Sequence, residues 1–254
     1  MKIAIGINGY KEEESLEIRE KLCLESLRKL KMKFPDTVYL YNVCREGVTY
    51  DEFTTIHMEH AEQFTMVNRL LDSLFDTETG CDVISIINND IIVSDCLIDQ
   101  LDCSVDTHMA SRVNIEPINS LSDELDIVEY SVHGFDLIAV TKKWWKHNRE
   151  ILPDMYIGRQ YWDTVYFTLL MRNSECKVLN KLPPVIFHPR HETVSGVEDE
   201  YDEFNKHAAN QVPQLRYWWN YVYNVLLKRH ANNNTKYWWP FKNEVELEGT
   251  FFND

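Results

Sequence analysis

Apolar and polar positions alternate with the periods of strands and helices along the first third of the chain. Residues 3–8, 37–43 and 83–87 are short runs rich in β-branched and aromatic side chains, which is typical of buried strands. Between them, residues 15–31 and 61–75 place apolar side chains on one helical face and charges on the other. The order strand, helix, strand, helix, strand predicts an α/β fold with a parallel sheet flanked by helices, whose ligands bind at the carboxyl ends of the strands.

The remainder of the chain continues this α/β pattern. The acidic run EDEYDE at residues 198–203 indicates a surface loop or the start of a helix. An aromatic-rich helix is predicted over residues 212–229, followed by a polar tail. Other predicted helices cover residues 96–101, 142–148 and 162–171, and other predicted strands cover residues 110–115, 127–130, 137–140, 177–182 and 185–187.

Charge is distributed unevenly along the chain. The 254 residues have a net charge of -15, and residues 51–136 contain 19 acidic side chains but only two basic ones, Arg69 and Arg112. An acidic surface repels nucleic acid and anionic membranes, so non-specific binding to either is not expected. Two interpretations of the acidic region stay open, a solvated face and a set of carboxylates that includes ligands for a divalent cation.

The sequence contains no pattern of membrane insertion or export. It has no apolar run of 18 residues, and its first residues lack the apolar core and cleavage site of a signal peptide. Its six cysteines are scattered and form no CxxC pair. We therefore expect a cytoplasmic protein without a transmembrane segment, whose cysteines are mostly buried, reduced thiols.

The polar triplet Asn88-Asn89-Asp90 interrupts a stretch that is otherwise strongly apolar. It follows the third predicted strand, at the edge of the sheet where ligands bind, and Asn8 and Arg45 follow the first two strands at the same edge. A carboxylate at the third position could bind a hard divalent cation, and an amide at the first could bind ribose or phosphate. The alternative is a simple turn, since Asn and Asp favour turns.

A second candidate cluster is VIFHPRHE at residues 185–192. His188 follows a predicted strand, and imidazole is a common ligand of ions such as Mn²⁺ or Zn²⁺. Arg190 and His191 could neutralise phosphates. The alternative is a hydrogen-bonded structural histidine, and zinc is not favoured because no third His or Cys has a suitable spacing.

Two further positions are candidates for a role in catalysis. Asp163 begins an apolar helical run next to Trp162, where a carboxylate could act as general base or simply stabilise the helix dipole. Gly134, in SVHGFDLIAV, would let the backbone approach a bound group closely, or would serve only a turn.

Taken in order, these motifs resemble the nucleotide-sugar-dependent glycosyltransferases of the GT-A fold over residues 1–192. IAIGINGY resembles the nucleotide-binding start of that family, and IINNDIIV resembles its metal-binding DXD motif in the NND form of rhamnosyltransferase-like members. HGFDLIAVTKKWW resembles an acceptor-side strand, WDTVYFTLLMR the motif with the catalytic base, and VIFHPRH the strand that donates a histidine to the metal. The chain departs from the family pattern at Asn88, where Asp is common, and at Trp162, where Glu or Asp is usual.

The resemblance implies a GT-A, Rossmann-like domain over residues 1–192 and a helical extension over residues 193–254 packed on it. It implies a Mn²⁺ or Mg²⁺ ion and a nucleoside-diphosphate sugar as donor, in the first place a UDP-sugar. The implied acceptor is a hydroxyl of a saccharide, of a protein or of a hydroxylated DNA base. The implied metal ligands are Asp90 and His188, the implied base is Asp163, and the implied donor-binding residues are Ile7, Asn8, Gly9, Tyr10, Arg45, Asn88, Asn89 and Arg190.

Two other functions remain open on the sequence. A non-catalytic nucleotide- or sugar-binding module would retain the fold without transferring a sugar, and Asn88 and Trp162 favour it slightly. A nucleotidyltransferase is less favoured, because INGYKEEES lacks a glycine-rich phosphate loop. Four of the seven tryptophans fall in the C-terminal part, where they could stack on sugars or bases or pack a terminal helix; they are Trp218, Trp219, Trp238 and Trp239.

Overall fold

The computed structural model describes residues 1–44, 47–58, 65–77, 80–179, 183–191, 199–213 and 215, with the backbone alone at residues 130–133. Its strands are β1 (Ile3–Gly9), β2 (Val38–Cys44), β3 (Thr54–His57), β4 (Val83–Ile87), β5 (Ile92–Val93), β6 (Thr107–Ile115), β7 (Ile127–Thr141), β8 (Cys176–Val178) and β9 (Ile186–Pro189). Its α-helices are α1 (Ile18–Lys33), α2 (Val67–Asp76), α3 (Cys96–Gln100), α4 (Lys142–Asn148), α5 (Trp162–Asn173) and α6 (Glu200–Gln211).

The strands form one sheet in the order β3-β2-β1-β4-β7-β6-β9-β5, with β8 paired to β6. β1 runs parallel to β2 and β4, β2 runs parallel to β3, and β6 runs parallel to β8 and β9. The antiparallel pairs are β4 with β7, β6 with β7, and β5 with β9. The predicted α/β class, a mostly parallel sheet flanked by helices, is confirmed.

Alternation of side chains along the strands produces two apolar layers. Ala4, Ile84 and Ile86 point to the face covered by α2, α4 and α5. Ile5 and Leu40 point to the opposite face, which is covered by α1 and α3. Because both faces of the sheet are covered, the central strands are nearly continuous apolar runs in the sequence. A polar residue at the end of such a strand is therefore easily recognised.

Several predicted elements differ from those in the structure. β3 was not predicted, because three of its four residues are polar and none is fully buried at the edge of the sheet. β7 is one strand of 15 residues where two strands and a turn are predicted. The strand is continuous but contains a bulge. Ser111 pairs with Phe135 and Val113 pairs with Tyr130, so β7 has more residues than β6 between these two pairs. The predicted aromatic helix lies almost wholly outside the described residues.

All six cysteines fall within the described residues and are free thiols, and four of them are buried. Cys96 is half-buried and Cys103 is exposed, so the expectation of mostly buried thiols is met. Among the described helices, none combines the length and the apolar character that crossing a membrane requires.

Candidate active site

A cavity of about 540 Å³ opens where β1 and β4 end. Its wall is rich in charged and amide side chains, and the first turn of α1, the start of α5 and the segment after β9 complete it. The lining residues that carry the chemistry are Asn8, Tyr10, Asn88, Asn89, Asp90, Arg112, Asp136, Trp162, Asp163, His188 and His191. This is the edge at which a parallel sheet is expected to bind its ligand.

The triplet after β4 is fixed by hydrogen bonds to neighbouring strands. The Asn88 side-chain amide donates to Asp136 Oδ1 at 2.6 Å, and the Asn89 amide donates to the backbone carbonyl of Asn8 at 2.5 Å. Both amides therefore hold the turn in place, and Asp90 is the member of the triplet that reaches towards the histidines of the segment starting at His188.

Asp90, His188 and His191 form a cluster whose potential ligand atoms all lie within 4.8 Å of one another. Asp90 Oδ2 lies 3.4 Å from Nε2 of His188 and 3.6 Å from Nε2 of His191. Burial acts to raise the pKa of Asp90, but the two facing imidazoles of His188 and His191 hold it well below its usual range. The carboxylate is therefore ionised and faces two imidazoles, an arrangement suited to a divalent cation.

The His188 ring is oriented by its other nitrogen. Nδ1 lies 3.2 Å from Oδ1 of Asn114, which is paired with His188 across β6 and β9. The Asn114 amide in turn donates to Glu129 at 3.0 Å. A hydrogen bond at Nδ1 leaves Nε2 available on the side of Asp90, as in protein metal sites where a partner residue fixes the ligating nitrogen.

These three side chains are better ligands for a divalent ion such as Mn²⁺, Fe²⁺ or Zn²⁺ than for Mg²⁺. Two imidazoles and one carboxylate are suited to Mn²⁺, Fe²⁺ or Zn²⁺, whereas Mg²⁺ prefers oxygen ligands. Zinc was not favoured on the sequence because no third His or Cys has a suitable spacing, but the Asp90 carboxylate, which is distant in sequence, completes a set of three potential ligands. The fold brings that carboxylate next to both histidines.

A buried carboxylate, Asp136, lies beside the triplet. Its side chain is 4% exposed and also accepts a hydrogen bond from Nη1 of Arg112 at 3.3 Å. Burial raises the pKa of Asp136 to about 6; the Arg112 guanidinium opposes this rise, and the carboxylates of Asp90 and Asp163 add to it. Arg112 thus places a positive charge in the cavity, and buried Asp136 orients its guanidinium.

Gly134 makes room for this arginine. Its φ is +71°, a conformation that side chains with a Cβ rarely adopt, and an added Cβ would lie 2.9 Å from Nε and Cζ of Arg112. The close approach anticipated at Gly134 is therefore, in this structure, an approach to the Arg112 side chain.

Replacement of Gly134 by alanine is expected to destabilise the fold by about 2–4 kcal/mol, because backbone strain is added to displacement of Arg112 from buried Asp136. Equilibrium urea unfolding measures the loss. Gly80→Ala is the matched control, since Gly80 has φ +62° and nothing within 4 Å of an added Cβ. That control should lose only about 1–2 kcal/mol. Equal losses at the two glycines would contradict a role for Arg112 in the effect.

Asp163 lies in the first turn of α5, on the cavity wall. Its Oδ1 accepts the backbone N–H of Thr164 at 2.7 Å, and its Oδ2 accepts that of Phe135 at 3.3 Å. Burial raises the pKa of Asp163, while these backbone hydrogen bonds act to lower it. The rings of Phe135 and Phe167 stack at 3.9 Å and attach α5 to β7 next to this carboxylate. A partly buried acid with a raised pKa is suited to accept a proton.

Not all candidate residues from the sequence meet in the cavity. Ile7 is 1% exposed and packs in the core, and Arg190 is exposed and lines a neighbouring groove. Gly9 remains within β1 and forms no turn; glycine is needed there because an added Cβ would lie 2.0 Å from the Asn42 side chain. Arg45 lies outside the described residues. The residues that do line the cavity are Asn8, Tyr10, Asn88, Asn89, Asp90, Asp163 and His188.

Arg112, Asp136 and Asn114 were not predicted as site residues, and His191 was predicted only as a phosphate contact. Arg112 did carry a signal, as one of two basic residues in the acidic region. Asp136 also carried one, as a charge inside the apolar run of β7. Asn114 carried no such signal, because its role depends on pairing with β9.

No protein-family model matches the chain, and no curated protein does. Similar solved structures include the catalytic domain of Drosophila β1,4-galactosyltransferase 7 in complex with xylobiose, with a TM-score of 0.48, 10% identity, and coverage of 83% of this chain and 82% of that one. The galactosyltransferase LgtC, in complex with donor and acceptor sugar analogues, has a TM-score of 0.41, 11% identity, and coverage of 86% and 100%. The 4-diphosphocytidyl-2C-methyl-D-erythritol synthase of Anaerococcus prevotii has a TM-score of 0.41, 10% identity, and coverage of 83% and 97%. Similarity at this level does not assign a substrate or an activity to the chain.

Proposed function

We propose that the protein is a Mn²⁺-dependent GT-A glycosyltransferase that moves a sugar from a UDP-sugar to an acceptor hydroxyl. The observation that supports it most is the joint presence, in one cavity, of the Asp90-His188-His191 cluster and Asp163. A cation site and a separate carboxylate with a raised pKa are the two parts used by a transfer that proceeds through direct displacement with a general base.

In this proposal Asp90, His188 and His191 would hold the ion, which would supply positive charge to neutralise the diphosphate of the donor and so favour the departure of UDP. Asp163 accepts the proton of the acceptor hydroxyl while the oxygen of that hydroxyl forms a bond to the anomeric carbon of the sugar. The bond from that carbon to the donor phosphate breaks, and UDP leaves with the bonding electrons. Arg112 supplies a second positive charge in the cavity for the phosphates.

Asn8 and Tyr10 would contact the donor, since both line the cavity at the end of β1. Asn88 and Asn89 would act by shaping this wall, because their amides are engaged by Asp136 and Asn8. The net charge of -15 favours a saccharide over DNA as acceptor, because a DNA backbone would be repelled.

The proposal is tested by the release of UDP from UDP-glucose, UDP-galactose and UDP-N-acetylglucosamine with Mn²⁺, with Mg²⁺ and with chelator. We expect release with Mn²⁺ from at least one donor, weak release with Mg²⁺ and none with chelator. Calorimetric titration of the same donors runs in parallel. Binding without turnover on any donor or acceptor would favour the non-catalytic sugar-binding module instead.

A further inference from the structure

The cavity wall next to Asp163 is a short loop that is held by the last described helix. Residues 156–160, which we call the 156–160 loop, precede α5 and contribute Ile157, Gly158, Arg159 and Gln160 to the cavity. On one side, Ile157 N–H donates to the Thr65 carbonyl at 3.0 Å. On the other side the loop meets α6, which belongs to the segment beyond the GT-A-like resemblance.

Asn205 of α6 is fully buried and uses its whole amide on this loop. Its Oδ1 accepts the N–H of Tyr156 at 2.8 Å, and its Nδ2 donates to the carbonyls of Tyr156 and Gln160 at 3.0 and 2.9 Å. A buried amide that is satisfied by the backbone of one loop fixes the conformation of that loop.

Asp202, one turn earlier on α6, is 3% exposed and makes a second attachment. Its Oδ1 accepts the N–H of Gln160 at 2.8 Å, and its Oδ2 accepts from Nη2 of Arg159 at 2.6 Å. Asp199, which caps α6 by accepting two backbone N–H groups, pairs with the same Arg159 nitrogen at 2.5 Å. These charge-assisted bonds are stronger than neutral ones and orient the Arg159 side chain.

The junction between the 156–160 loop and α5 has a backbone that requires such support. Gly158 and Tyr161 both have φ of +73°, and Tyr161 is one of two described non-glycine residues with positive φ. Tyr161 is also the residue that caps α5, two positions before Asp163. Unfavourable backbone conformations persist only where surrounding contacts enforce them, and here α6 supplies the contacts to Gln160, the residue just before Tyr161.

We propose that Asn205 and Asp202 are positioning residues, through which α6 holds the 156–160 loop and thereby sets the place of Asp163 for catalysis. This inference rests on the proposed function. It assigns to the C-terminal segment a part in the transfer, although none of its described residues lines the cavity.

The test uses the full-length Asn205→Ala variant, with UDP release as the activity and calorimetric Mn²⁺ binding as a second readout. The kcat for UDP release is expected to fall on the order of 10²-fold, because a small displacement of a catalytic group has a large effect on rate. The KM for the UDP-sugar and the Kd for Mn²⁺ should stay within about twofold, since the metal cluster lies on other elements. Asn210→Ala, an exposed asparagine on the same helix, should match the wild type.

Asp202→Asn is a milder second variant that should fold even if Asn205→Ala does not. It keeps an acceptor for Gln160 but removes the charge facing Arg159, and we expect kcat to fall about tenfold. Glu203→Gln removes the same charge from an exposed neighbour and should have no effect.

Failure of the proposed function and failure of the positioning role of α6 would give different results. A wild-type protein without Mn²⁺-dependent UDP release would overturn the proposed function and this inference with it. An active wild type with unchanged kcat in both α6 variants overturns the positioning role alone. Loss of Mn²⁺ binding together with kcat would also overturn it, because α6 would then support the whole fold rather than the loop.

Discussion

Asp90→Ala is expected to abolish measurable Mn²⁺ binding and, with it, the Mn²⁺-dependent release of UDP. Asp90 supplies the carboxylate of the cluster, and its removal leaves the cluster with two imidazoles and no charged ligand. Because loss of a residue that merely orients a ligand costs 10–100-fold in metal affinity, loss of a ligand should cost more than about 100-fold. Isothermal titration with Mn²⁺ measures the binding, and a coupled UDP assay measures the turnover.

The control for this variant is Asp99→Ala, which removes an exposed aspartate of α3 on the same stretch of chain. It should bind Mn²⁺ and turn over as the wild type does, since an exposed carboxylate away from the cavity contributes little. Unchanged Mn²⁺ affinity in Asp90→Ala would be incompatible with the proposed site and would remove the main support for the transferase.

Asp163→Asn is expected to lower kcat by about 10²–10⁴-fold while Mn²⁺ affinity stays unchanged. Asparagine has nearly the same shape and still offers Oδ1 to the Thr164 N–H, so the loss reports the missing base rather than a broken helix. Asp126→Asn, at an exposed aspartate outside the cavity, is the control. Full activity in Asp163→Asn would show that another group accepts the proton.

The pH dependence provides a second test of the same carboxylate. A general base works only when ionised, and burial raises the pKa of Asp163. The value of kcat/KM should therefore rise with pH through that raised pKa, and activity should be lost at a higher pH than an exposed aspartate would give. Asp163→Asn should remove this acidic limb from the profile; if the limb persisted unchanged, a different group would be responsible for it.

The sequence was sufficient to predict the layers of the fold. Continuous apolar runs and leucine-bearing helices predict β1, β2, β4, α1 and α2 in their order, and the parallel arrangement follows from it. β3 could not be found in this way, because an edge strand of polar residues has no apolar period. The division of β7 into two predicted strands reflects Gly134, whose positive φ belongs to a bulge and not to a turn.

The residues of the candidate site could be predicted where a polar side chain lies at or just after the end of a strand. Asn8, Asp90 and His188 each follow or end a strand at the ligand edge, so their convergence could be anticipated. Arg112 and Asn114 could not be placed, because their orientation depends on the register of β6 against its partners. The contacts of α6 with the 156–160 loop could not be predicted either. EDEYDE indicated a surface loop or a helix start, but the local sequence does not show which loop Asp202 contacts.

The separation of the three cluster residues along the chain has a thermodynamic consequence. His188 and His191 are neighbours in any conformation, but Asp90 joins them only when β4, β5 and β9 are assembled. An ion bound by all three therefore prefers the folded chain, and at a free concentration of 100 times its Kd it adds at most about 2.7 kcal/mol to the free energy of unfolding. The same ion would act as a cross-link at the sheet edge, where β5 pairs with β9 over only two residues. Metal supply would thus contribute to the stability of the folded protein as well as to the proposed chemistry.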